Sequence, residues 1–492
     1  MSVSAERTVV QTHWRHADCY PEIAAKLSST LSVSPIVAQV LLNRNIRCLS
    51  DAKQFLSPES ICSFDTLSPN ALQKAFDCLD AHLKTPILVY GDYDVDGMTS
   101  TSLMVSQLRK LGAKSVHYYI PDRFDEGYGL QEGVLELIRS HGIRLLLTLD
   151  CGITNALLID QINHQTGCQV LIFDHHRIPE AIPKAVAILH PKQVSDQHPL
   201  FHLCTVGVVY HFWEQYCLSR GVDLNLADDL DLVALGTVAD VVPLVDANRT
   251  WTAMGLKILS QRKRLGIKAL LQQAKCYKDS LDSHDIGFIL APRLNAAGRL
   301  SHAKYGVELL LADDERSAAK YAYQLENLNL DRRAIGQKIL ASCIDQVQRN
   351  RLDRNHVLVL SDVHWHSGVI GITASKLVET FKRPTVIISE DDRICVGSAR
   401  TCGQVNIYDL LDSCKSHFDR FGGHPQAAGL SIKKEGIAAF KAALVASANQ
   451  TIRKNDLCST LDIDCDLSPD DMTLSLAESI AQLGPFGEQN PA

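Results

Sequence analysis

At 492 residues the chain is too long for one ordinary hydrophobic core, which predicts two or three domains. Its 46% hydrophobic and 21% charged residues, with no low-complexity tract, exclude a fibrous or disordered chain. A net charge of -7 excludes a globally basic nucleic-acid binder, so any polyanion has to be held by a local positive site or by metal ions.

No apolar run approaches the roughly 18 residues that span a bilayer, and the N-terminus lacks a basic-then-apolar signal pattern, so no membrane partner is expected. The fifteen cysteines are odd in number and contain no C-x-x-C pair. That usage predicts buried or free thiols in a reducing cytoplasm, not a disulfide framework or a structural zinc site.

Residues 1–85 read as an N-terminal helical region, with SPIVAQVLLNRNI and LSDAKQFLSP carrying helical spacing and a proline stop. A strict alternation then begins. PILVY (86–90) is a predicted strand, TSTSLMVSQLRKLG (99–112) a helix, SVHYYI (115–120) a strand, QEGVLELIRSHG (131–142) a helix, and LLLTLD (145–150) and QVLIFD (169–174) strands. The class is α/β, with a parallel sheet covered on both faces. Residues 304–350 read as a long helical connector. A second α/β set follows over 351–452: HVLVLS (356–361), a helix through GVIGITASKLVETF, PTVIIS (384–389) and ICVGSAR (394–400). A last helix is predicted near Leu474–Leu483.

The predicted strand ends carry acid after acid: GDYDVDG (91–97), LDCG (149–152) and FDHH (173–176), with a later helix ending in Asp240. Strand ends of such a sheet converge at one edge, where its ligands sit. Asp92, Asp94, Asp96, Asp150, Asp174, His175, His176 and Asp240 can therefore meet. Carboxylates about 5.5 Å apart repel by roughly 3 kcal/mol at an effective dielectric near 20, so several in one pocket need raised pKa values or cations between them. Oxygen and imidazole donors without thiolate suit Mn²⁺ or Mg²⁺. A lone D-x-D after a strand is commonly a turn, and a lone His-His pair is commonly packing; the joint occurrence argues for a site. Cys151 has no basic partner in the sequence, so a nucleophilic role is not favoured.

GDYDVDG, LDCG, DHH and GTVADVVPL resemble, in this order, the four motifs of the DHH phosphoesterase superfamily. PDRFDEGYGL (121–130), GFILAPRLNAAGRL (287–300), HSGVIGITASKL (366–377), GSAR (397–400) and FGGHPQAAGL (421–430) narrow the resemblance to its RecJ family of single-stranded-DNA-specific exonucleases. The resemblance covers nearly the whole chain. It implies a DHH catalytic domain over 86–303 with the 1–85 region packed on it, and a smaller DHHA1-like substrate-binding domain over 351–452. It also implies that 453–492 begins a truncated OB-fold, whose Leu474–Leu483 stretch is expected to lack partners.

The same resemblance implies two divalent metal ions, Mn²⁺ or Mg²⁺, held by Asp94, Asp96, Asp150, His175 and Asp240, with Asp150 bridging. In the pyrophosphatase branch a histidine stands four residues before the first D of D-x-D. Here that residue is Tyr90, and Asp92 is a further ligand candidate. Asp150 and His176 are the implied catalytic residues, His176 at the scissile phosphate. Gly397, Ser398 and Arg400 would take a terminal phosphate through backbone N–H groups, a hydroxyl and a guanidinium fork. Arg299, His366 and His424 are further substrate candidates, whose plainer reading is as ordinary loop residues. The basic run QRKR (261–264) reads more simply as a solvated helix face.

The implied activity is 5′→3′ release of mononucleotides from single-stranded DNA with a 5′ end, in repair and recombination, with a single-strand-binding protein and a helicase as partners. Two alternatives stand beside it: a DHH phosphodiesterase of short oligonucleotides or small phosphate esters, and an inactive DNA-binding scaffold. Against the first stand the long N-terminal region and PRLNAAGRL. Against the second stands the intact ligand set.

Overall fold

The computed structural model describes residues 12–60, 64–392, 394–458 and 460–492. The chain forms two compact units: one comprises Glu22–Asn329 with Pro469–Ala492, the other Leu330–Ser468 with the described part of Met1–Pro21.

In the first unit, five strands form a wholly parallel sheet. Across it the order is Ser115–Tyr119, Pro86–Tyr90, Leu145–Leu149, Gln169–Phe173 and Ala187–Leu189. Alternation along each strand divides the core. Ile87, Val89, Leu145, Leu147, Leu171 and Phe173 pack with helices Pro69–His82, Val95–Lys110 and Thr205–Arg220. Leu88, Tyr90, Leu146, Val170 and Ile172 face the opposite way, onto helices Val134–His141 and Ala156–Thr166. This is the two-sided burial that continuous apolar strands predict. The first and third strands in chain order are neighbours, and the chain leaves them toward opposite edges. That crevice, beyond the strands' carboxyl ends, is where such sheets bind ligands.

The second unit holds a mixed five-stranded sheet. Leu358–Asp362 and Thr385–Ser389 run parallel, then Ile394–Arg400, Ala427–Lys433 and Arg420–His424 add antiparallel. Its core joins Val386, Ile388, Cys395, Ala399 and Ile432 to Phe440 and Leu444 of helix Ile437–Thr451. The hairpin made by the FGGHPQAAGL segment was not predicted, because its glycines read as loop. The predicted connector is the helix Lys304–Leu310 followed by the 36-residue helix Glu315–Asn350, which carries the chain from one unit into the other.

Two expectations are corrected. Residues 12–21 do not join the first unit: His13–His16 pairs in parallel with Thr460–Ile463, within the second. The Leu474–Leu483 stretch is not unpartnered. Leu483 is buried in a core with Val37, Val40 and Leu41, and Phe486 packs on it. The Arg249 guanidinium ties this segment down, donating to the carbonyls of Leu483, Gly484 and Pro485 at 2.9, 2.7 and 3.3 Å. Among the described residues no single helix is long and apolar enough to cross a membrane.

Candidate metal centre

The centre is built where the first and third strands end. Asp92, just past the first strand, is buried. Asp94 caps helix Val95–Lys110, its Oδ1 accepting the Gly97 N–H at 3.0 Å. Gly97 is required by close approach, because a Cβ there would stand 2.5 Å from the Asp92 carbonyl oxygen. Asp96, in the first helical turn, is fully enclosed. Its two oxygens accept the N–H groups of Thr205 and Val206, at 2.6 and 2.8 Å, from the N-terminus of helix Thr205–Arg220. A helix N-terminus favours negative charge, and these two bonds aim the Asp96 carboxyl at the crevice.

Asp150 follows the third strand with φ of 63°, a left-handed conformation uncommon for a residue with a side chain. Thr205 Oγ1 donates to its Oδ1 at 2.9 Å, and Tyr128 Oη donates to its carbonyl at 3.3 Å. Asp174, at the end of the fourth strand, is not free for a ligand role. Its Oδ1 accepts the N–H groups of His175 and His176 and the His176 Nδ1–H, and its Oδ2 accepts the Ile153 N–H. It shapes the turn that carries the two histidines. His175 Nε2 then lies 3.3 Å from Asp150 Oδ1, 3.5 Å from Asp240 Oδ2 and 3.9 Å from Asp96 Oδ2. Asp240 reaches the same point as the C-cap of helix Leu230–Ala239.

Donor atoms thus gather in overlapping sets, each within 4.8 Å: Asp96, His175 and Asp240; Asp92, Asp94 and Asp150; Asp150, His175 and His176. The third set links the other two. Burial and mutual repulsion push the carboxyls of Asp92, Asp150 and Asp240 well above the usual range, and Asp96 to about 7. Burial also lowers the His175 pKa, against the pull of Asp96, leaving its imidazole a neutral donor. His176 goes the other way: burial opposes its charge, but the Asp174 bond and the Asp150 field raise it to about 10. Asp174 is lowered in turn, its own burial outweighed by the bond to His176. Asp92 Oδ1 is buried without a hydrogen-bond partner. An orphaned buried carboxylate oxygen among mutually repelling acids fits a hard divalent cation with oxygen and imidazole ligands.

Tyr90 does not stand in for the histidine it replaces: it is fully buried, packed on Tyr119, with its hydroxyl 3.4 Å from the Gly129 carbonyl. Cys151 is enclosed, and burial with the adjacent acids pushes its thiol up, so it is no nucleophile. Arg299 lines a cavity with Asp92, Asp94, Tyr93, Arg123 and Asn295, at the edge of the acidic cluster. Of the basic run, Lys263 pairs with Asp228, and Arg264 is not solvated but largely buried between Asp229 and Asp231. Thr205, Tyr128 and Arg123 went unassigned in the sequence. Tyr128 and Arg123 lie inside PDRFDEGYGL, the one signal that pointed to them.

The remaining named residues belong to the second unit. Gly397, Ser398 and Arg400 lie on the Ile394–Arg400 strand, paired on both sides. The expected backbone N–H donors are therefore spent on the ladders, and only side chains remain for a ligand. The Arg400 guanidinium donates to Ser398 Oγ at 3.1 Å, bringing the two together. His366 caps helix Ser367–Phe381, Nδ1 accepting the Gly368 N–H, and His424 is exposed at the end of Arg420–His424.

A family model described as the DHH family N-terminal domain matches residues 86–237, and one described as the DHHA1 domain matches 354–454. The single-stranded-DNA-specific exonuclease RecJ of Haemophilus influenzae is 34% identical over 486 residues, covering 94% of this chain and 83% of that protein. That of Bacillus subtilis is 35% identical over 470 residues, and the chain spans 59% of its length. Among solved structures, RecJ from Thermus thermophilus in complex with Mn²⁺ superposes with a TM-score of 0.84 at 29% identity, over 98% of this chain and 68% of that one.

Proposed function

Since the chain belongs to the RecJ family of the DHH phosphoesterases, we propose that it is a metal-dependent 5′→3′ exonuclease that hydrolyses single-stranded DNA to mononucleotides. The observation that carries this reading is the pair of donor sets joined through Asp150 and His175, with the Asp92 oxygen left unpaired between acids. Asp94, Asp96, Asp150, His175 and Asp240, joined by Asp92, would hold two divalent cations, Mn²⁺ or Mg²⁺, with Asp150 and His175 standing in more than one of the donor sets. When bound, such a pair activates water at neutral pH and stabilises both attacking and leaving oxygens of an in-line displacement.

This chain's own residues do the rest. Thr205 and the amides at its helix start hold Asp150 and Asp96 in place. His176, cationic with Nδ1–H given to Asp174, keeps Nε2–H for the scissile phosphate. Ser398 and Arg400, on the strand that includes Gly397, take a terminal 5′-phosphate, Arg299 a second phosphate, and His366 and His424 the neighbouring backbone. Capture of the 5′ end accounts for polarity. The reading places the protein in the cytoplasm, in DNA repair and recombination. There a helicase supplies the single strand and a single-strand-binding protein presents it.

The test is 5′-labelled single-stranded and duplex DNA incubated with Mn²⁺, with products resolved by length. Labelled mononucleotide from single strands, with duplex left intact, is expected. Internal fragments, or turnover of small phosphodiesters alone, would assign the site to a different substrate class.

A further inference from the structure

The edge strand Ala187–Leu189 pairs with Gln169–Phe173, Leu189 opposite Phe173, so the residues leaving both strands run side by side. After one strand come Asp174, His175 and His176; after the other, His190, Pro191 and Lys192. His190 is 1% exposed, and both of its ring nitrogens are engaged. Nε2 lies 2.8 Å from the His176 carbonyl oxygen, and Nδ1 lies 3.1 Å from the Lys192 amide nitrogen. A carbonyl only accepts and an amide N–H only donates, so these partners fix a neutral ring with its proton on Nε2. Lys192 Nζ in turn donates to the His175 carbonyl at 2.8 Å.

We propose that His190 and Lys192 are positioning residues for the metal centre, each fastening the backbone carbonyl of one of its two histidines. Asp174 already holds the N–H side of that turn, taking both histidine amides on one oxygen. The His190–Lys192 turn holds the carbonyl side. Together they fix both peptide planes, and with them the direction of each imidazole. That matters because His175 Nε2 must meet donor atoms of Asp150, Asp240 and Asp96 at once, at 3.3–3.9 Å. Groups behind metal ligands that orient them are typically worth ten- to hundredfold in metal affinity or activity. A histidine that merely fills the core would contribute to folding and leave the site unchanged.

The inference rests on the metal-dependent reading, and its test is Mn²⁺ binding by the metal-stripped full chain, measured by calorimetry. His190→Leu and Lys192→Met should each raise the Mn²⁺ dissociation constant about tenfold. They should lower kcat on a single-stranded oligonucleotide with little change in KM. His190→Gln, whose amide N–H reaches where Nε2–H does, and Lys192→Arg should recover to within about threefold. Lys192 is exposed, so its variants decide the matter even where His190→Leu fails to fold. Wild-type affinity in Lys192→Met, or no recovery in Lys192→Arg, overturns the proposal. Wild-type protein that binds no Mn²⁺ would instead sink the metal reading itself.

Discussion

His176 Nδ1 lies 2.8 Å from Asp174 Oδ1, a bond that commits the Asp174 carboxylate to holding the neighbouring imidazole. The raised His176 pKa, about 10, follows from that bond working against burial. Asp174→Asn keeps the shape and removes the charge. The variant should lose roughly ten- to hundredfold in kcat. Its rate should also fall as pH rises from 6.5 to 8.5, where the wild-type imidazolium persists. A parallel pH profile in both proteins would show that the Asp174 charge does not set the protonation of His176.

Asp150→Asn tests the shared ligand with the backbone preserved, because asparagine tolerates the left-handed conformation at φ of 63°. Turnover should drop by about three orders of magnitude or more, since one substitution weakens both cation positions. Metal-free protein should melt higher than wild type at pH 8, because a buried, repelled carboxylate is gone. Near-normal rates with Mn²⁺ would refute the shared-ligand assignment.

The raised carboxyls make metal-free stability fall as pH rises. Asp96 titrates near 7 when folded, with Asp92, Asp150 and Asp240 also raised, whereas unfolded carboxylates titrate near about 4. Between those values the folded state holds protons that the unfolded chain has released. Each such proton costs about 1.4 kcal/mol of stability per pH unit as pH rises. Divalent cations replace the protons and remove the cost. The gap in Tm between Mn²⁺-loaded and chelator-treated protein should therefore widen from pH 6 to pH 8; a constant gap would contradict this.

Much of this was legible because strand ends are. Apolar runs PILVY, LLLTLD and QVLIFD each stop at an acid, and parallel-sheet topology places those stops together. What the sequence concealed was short or partner-dependent. Ala187–Leu189 is three residues long, too brief to show alternation, and with it went His190 and Lys192. The helix expected from Thr99 begins at Val95, because Asp94 caps it at once and the acidic turn is its first turn. Asp174 reads like its neighbours in sequence; only the amides converging on it reveal a different role. GSAR offers its backbone N–H groups to a phosphate only until both ladders claim them.

With those amides spent, the proposed 5′-phosphate site rests on the Ser398 and Arg400 side chains. Arg400→Ala should lower kcat/KM on 5′-phosphorylated strands about ten- to hundredfold, the worth of a charge-assisted bidentate contact of roughly 1.5–3 kcal/mol. Strands ending in a 5′-hydroxyl should be affected far less. Equal losses on both substrates would remove Arg400 from the phosphate site.

The last prediction concerns Arg249, whose guanidinium is sandwiched between two parts of the chain far apart in sequence. It donates to the Phe55 carbonyl at 2.9 Å and lies 3.6 Å from the Phe55 ring centroid, while the carbonyls of Leu483, Gly484 and Pro485 take its other hydrogens. No aliphatic side chain can satisfy these carbonyls, and each buried acceptor left unpaired costs about 1–3 kcal/mol. Arg249→Met fills much of the volume but strips the guanidinium donor from the Phe55 and Gly484 carbonyls, while Asn490 Nδ2 still serves those of Leu483 and Pro485. The chain can relieve that strain most easily by releasing the segment after Pro469, since its helix Leu474–Ala481 buries Leu476, with Leu483 just beyond it. We expect a loss of about 3 kcal/mol in stability, within the range for broken buried networks, and new protease cleavage near Leu474–Leu483. Arg249→Lys, one point charge in place of a fork, should recover only part of it. Unchanged Tm and unchanged cleavage in Arg249→Met would mean that the segment is held without Arg249, by its apolar contacts with Val37, Val40 and Leu41 and its bonds from Arg44, Leu244 and Ser283.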